Sequence, residues 1–187
     1  MTQNWSIEQS ERIAGYLGGC FDELYRALGQ AAPQLRDDAV VVVSFELARE
    51  FATVRVCFER LLAHRAGVDE RATWGSSGVI ESVLSDAVGD DDSGALLLYA
   101  TSMFVTPRLL VSLRDAVELA PSASGGPLVA AARVGADALI SASRHIGEVA
   151  SRTLRDPGDT WRESANRLET LVDGAGFAES FGLGLTG

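Results

Sequence analysis

At 187 residues the chain is long enough to bury one real core without staples, and its two cysteines are too few for a disulfide framework. Its 26 acidic and 16 basic side chains leave a formal net charge of −10. All the bases are arginine and none cluster into a basic face, which argues against nucleic acid as a partner.

The first helix is read over about 7–31. Ser6 is its candidate N-cap, and Ala14, Leu17, Phe21, Leu24 and Leu28 recur at three- and four-residue steps. Gly18 and Gly19 weaken its middle or let a neighbour come close. Pro33 ends it.

The second helix is expected over about 37–66, with Asp37 and Asp38 at its positive end. Its inward stripe is Val40, Ser44, Leu47, Phe51, Val54 and Phe58, and Phe45, Ala48 and Ala52 beside it predict a wide buried arc. A short strand over Val40–Val43 is the rival reading; helical periodicity over about six turns favours the helix.

A connection over 67–77 leads to a short helix over about 78–88. The triple aspartate at 90–92 has the look of a calcium loop, but Ala95 to Tyr99 supply no closing ligands, so it reads as a turn capped by Asp92 or Ser93. A long helix over about 94–119 follows, with Leu96, Tyr99, Met103, Leu110 and Leu113 inward, and Pro107 is expected to kink it or split it at Val105–Thr106. After the loop at 121–127, Leu128, Ala132, Gly135, Leu139, Ala142 and Ile146 form a narrow small-residue seam on a helix to about 154. A shorter helix over about 160–172 points Trp161, Ala165, Leu168 and Leu171 inward. The expected fold is therefore all-α, a helical bundle of about four long helices plus two short ones, as a single domain over 1–175 followed by a Gly-rich apolar tail over 176–187.

The chemistry-bearing residues are few. A carboxylate-bridged metal bundle needs Glu-x-x-His pairs on facing helices. Here Glu46 and Glu50 share one helix face, and His145 with Glu148 offers only the reverse order, His-x-x-Glu. These four are the ligand or metal candidates, and no cofactor follows from them. His64 and His145 are the only imidazoles, and Cys20 and Cys57 have no local activator. Both cysteines suit a reducing compartment, here the cytoplasm. No leader-like basic and apolar run opens the chain, and no uninterrupted stretch approaches the roughly 20 apolar residues of a membrane span. In the tail, Phe181, Leu183 and Leu185 alternate with glycine, either covering the bundle's own groove or docking on a partner or second copy. The sequence therefore points to a non-catalytic binding protein, self-associating or taking a protein partner or small apolar ligand. The alternative is a small helical enzyme, either a carboxylate/His metal oxidase or a lyase or isomerase with an apolar pocket near Pro107.

Overall fold

The computed structural model describes residues 7–63, 78–121, 125–153 and 159–174, and within them the chain is helical with no strand. The elements are α1 (Ile7–Ala31), a 3-10 turn (Ala32–Gln34), α2 (Asp38–Ala63), α3 (Val79–Asp90), α4 (Ala95–Ala100), a π-helical turn (Thr101–Val105), α5 (Thr106–Leu119), α6 (Gly126–Thr153) and α7 (Asp159–Gly174). The all-α bundle expected from periodicity is what forms. His64, the connection after it and the tail with Phe181, Leu183 and Leu185 lie outside the described residues.

The short link after α1 makes α1 and α2 an antiparallel hairpin, the most extensive helix pairing in the fold. Its core is aromatic. Phe21 of α1 lies 5.8 Å from Phe51 and 5.9 Å from Phe58 between ring centroids, and all three are buried. Against this cluster α6 presents Gly135, where an added Cβ would sit 3.0 Å from Phe21 and 3.3 Å from Leu113. The small-residue seam expected on α6 is thus a close approach, flanked by buried Ala131, Ala132, Ala138 and Ala142.

The four-valine run is helical. Its β-branched side chains divide between faces, Val40 and Val43 entering the core and Val42 standing 54% exposed. Asp37 caps the helix, its Oδ1 accepting from the N–H groups of Ala39 and Val40 at 2.9 and 3.3 Å. The 90–92 turn is an Asx turn, and its main cap is Asp91, not Asp92: Asp91 accepts from the Ser93 and Leu96 N–H groups. Ser93 Oγ adds a bond from the Ala95 N–H, while Asp92 pairs with Arg36 at 2.8 Å. Gly94 enters α4 at φ 81°, and an added Cβ there would meet Val40 Cγ1 at 2.6 Å.

The break expected at Val105–Thr106 is where a π turn gives way to α5. One extra residue per turn places Pro107 in the first turn of α5, where a missing N–H costs little. The Thr101 carbonyl accepts both the N–H and the hydroxyl of Thr106, and Arg108 donates to the Phe104 carbonyl at 3.0 Å. The extra residue also rotates the downstream face. Met103, expected inward, is 53% exposed, whereas Leu109, Leu113 and Ala116 are buried. Ala95–Leu119 is long and apolar enough to cross a membrane by composition, yet most of its apolar window is buried in the bundle, the placement of a core helix. On α7, Val172 takes the inward place expected of Leu171, which is 40% exposed.

Candidate functional site

Helix α1 has one buried carboxylate and one exposed aromatic stripe, on opposite flanks. On the α3 flank lies Glu23, 1% exposed. Its Oε1 accepts from the Gly78 N–H at 2.9 Å, and its Oε2 from the N–H groups of Ile80 and Glu81 at 3.0 and 3.2 Å. These are orphan donors of the first turn of α3, at the positive end of its dipole, so the carboxylate serves as a cap supplied from another helix. Cys20, one turn earlier and buried, has its thiol pushed far up by burial, with the Glu23 charge adding to the shift. A thiol held neutral in this way is a packing group rather than a nucleophile.

On the α2 flank the two helices leave an open groove of about 520 Å³. Tyr25, Arg26, Gly29 and Gln30 form its α1 wall, and Phe45, Ala48, Arg49 and Ala52 its α2 wall. Tyr25 is 39% and Phe45 50% exposed, a concentration of aromatic surface that a folded chain ordinarily buries. A charge network edges the groove. Asp22 pairs with Arg26 at 2.9 Å and with Arg55 at 2.8 Å, Arg26 reaches Glu81 at 3.4 Å, and the Arg55 guanidinium sits 5.7 Å from the Tyr25 ring centroid. Arg49 is different. It is exposed, and among the described residues no carboxylate pairs with it.

The four ligand candidates sit on α2 and α6, which pack together. Glu50 is partly buried; burial raises its carboxyl above the ordinary 4.5, and the nearby His145 partly offsets that. Glu46, His145 and Glu148 are exposed. Glu50 and His145 are thus brought within electrostatic reach, but among the described residues no three His, Cys, Asp or Glu side chains converge as metal ligands do.

Two features were not read from the sequence. Glu23 falls between Cys20 and Ala27 at steps of three and four, inside the apolar arc of α1, and that spacing is the signal of its burial. Phe45 and Ala52 were assigned to one wide buried arc of α2, whereas Phe45 points outward and Ala52 is half-buried. They belong to a second series, Val42, Phe45, Arg49, Ala52 and Val56, whose three-four spacing is itself heptad-like and lies opposite the buried stripe. Comparison with protein-family models, curated proteins and solved structures finds no match for this chain.

Proposed function

We propose that the chain is a non-catalytic binding protein of the reducing cytoplasm, and that the groove between α1 and α2 is its recognition surface. One observation carries this reading: two large aromatic side chains, Tyr25 and Phe45, stand half-exposed on either wall of one groove, beside the Arg49 guanidinium, which pairs with no carboxylate among the described residues. Apolar surface left open beside a few polar side chains is the composition of ligand and partner sites. The two free thiols, one deeply buried, suit a compartment that keeps cysteines reduced.

The test uses anilinonaphthalene sulfonate, an apolar fluorophore with one negative charge. Saturable binding at one site is expected, weakened about tenfold by Phe45→Ser or Tyr25→Ser. Leu171→Ser, which removes exposed apolar surface from α7, should leave it unchanged. No saturable binding, or equal binding by all three variants, would overturn the reading. The enzyme alternative rests on Glu50 beside His145. Stoichiometric iron or manganese in the purified protein, lost in Glu50→Ala, would establish it in place of the binding role.

A further inference from the structure

We infer that the occupant of this groove is an amphipathic helix of another protein, carrying one acidic side chain at the centre of its apolar face. The inference rests on the recognition role proposed for the groove. Its basis is that α2 has two seams. Val40, Ser44, Leu47, Phe51, Val54 and Phe58 are buried within the bundle. On the opposite face, Val42, Phe45, Arg49, Ala52 and Val56 repeat the three-four spacing that fits a helix against a neighbouring helix. Val42 and Phe45 are exposed, and Ala52 and Val56 are half-buried. With the α1 wall at Tyr25 and Gly29, this seam offers a face on which a third helix would pack.

Charge decides what that helix carries. Arg49 occupies the middle of the seam, and desolvating a guanidinium without a partner is costly. A helix laid over the groove therefore needs a carboxylate opposite it. A second copy does not supply one, because two-fold pairing centred on this seam sets Arg49 against Arg49, and each chain already bears a net charge of −10. That same net charge disfavours a generally acidic partner. A helix that is neutral overall fits best, with one central acid and a basic residue on the flank that meets exposed Glu46.

The experiment uses three-heptad synthetic helices with apolar a and d positions, differing only in whether the central a residue is Glu or Lys. The full chain should bind the Glu peptide about tenfold tighter than the Lys peptide, and Arg49→Glu should reverse that order. Circular dichroism of the variant serves as its folding control. If neither peptide binds while the anionic fluorophore still does, the groove is a small-molecule site, and the helix inference fails with the recognition role intact. If the chain sediments as a dimer that Phe45→Ser dissociates, a second copy is the occupant and the inference is overturned. If neither peptide nor fluorophore binds, both fail together.

Discussion

On the α3 flank of α1 a carboxylate lies buried with both oxygens in use; in the groove on the α2 flank two aromatic rings stand exposed, and among the described residues no carboxylate pairs with Arg49. Glu23 and Tyr25 lie two residues apart on one helix, so the contrast does not come from their place in the chain. It comes from what each flank meets. Glu23 meets the start of α3, where unpaired N–H groups and the helix dipole compensate a buried charge. Tyr25, two residues on, meets only the shallow wall of α2. A polar group buried at full satisfaction reports a structural task, whereas apolar surface that the described residues leave open points to a task of recognition.

The largest effect expected from this contrast is at Glu23. Glu23→Ala leaves the Gly78, Ile80 and Glu81 donors without their acceptor and should cost about 3–5 kcal/mol in urea unfolding. Glu23→Gln keeps one carbonyl acceptor and should cost about half as much. A loss below about 1 kcal/mol for the alanine variant would mean that the cap is replaceable by water, and the contrast between flanks would dissolve.

A smaller effect is expected at the other end of α3. Asp90 stands at a helix C-terminus, where the dipole disfavours a negative charge, and Arg167 of α7 hydrogen-bonds its Oδ2. That bond holds the Asp90 carboxyl below its ordinary 3.8, so the ion pair adds stability above that value and loses it as pH falls through the depressed one. Glu50 runs the opposite way. Its raised carboxyl favours folding below the ordinary 4.5 and loses that advantage as pH rises through the folded value. Urea unfolding from pH 6 down to pH 2.5 should show Asp90→Asn less stable than the parent at the upper end, with the gap closing below about 4. A gap constant across the range would show that the pair adds nothing by charge.

The bundle was legible in the sequence because burial follows the helical period. The stripes of α1 and α6 follow that period, and the small residues of α6 signal a close approach, although only the structure shows Phe21 as what meets Gly135. What escaped was phase and sidedness. The π turn shifts the register after Ala100, so extrapolation at 3.6 residues per turn placed Met103 inside and missed Leu109. On α2 apolar residues occupy both faces, and hydrophobicity alone does not distinguish a wide arc from two seams. Only Arg49, a charge within the outer series, separated them. Among the candidate site residues, only Glu50 and His145 come within electrostatic reach, and that pairing is not legible from two separate helices; Glu23 escapes notice because a buried carboxylate is rare without a partner. Its partners came from backbone at 78–81, and the sequence does not display backbone donors.

The smallest expected effect is also the sharpest test of the outer seam. Phe45 is half-exposed, so Phe45→Ser removes only part of the burial that a core phenylalanine provides and should cost about 1 kcal/mol or less. Phe51, one and a half turns along and wholly buried, should cost about 3–5 kcal/mol on truncation to alanine. Both sit on α2 and both are apolar, so the difference isolates which seam holds the fold together. If Phe45→Ser unfolds the chain as readily as Phe51→Ala, then Phe45 is core and the groove is packing left loose. If it leaves the melting transition nearly where it was while fluorophore binding collapses, the ring contributes to recognition rather than to the fold.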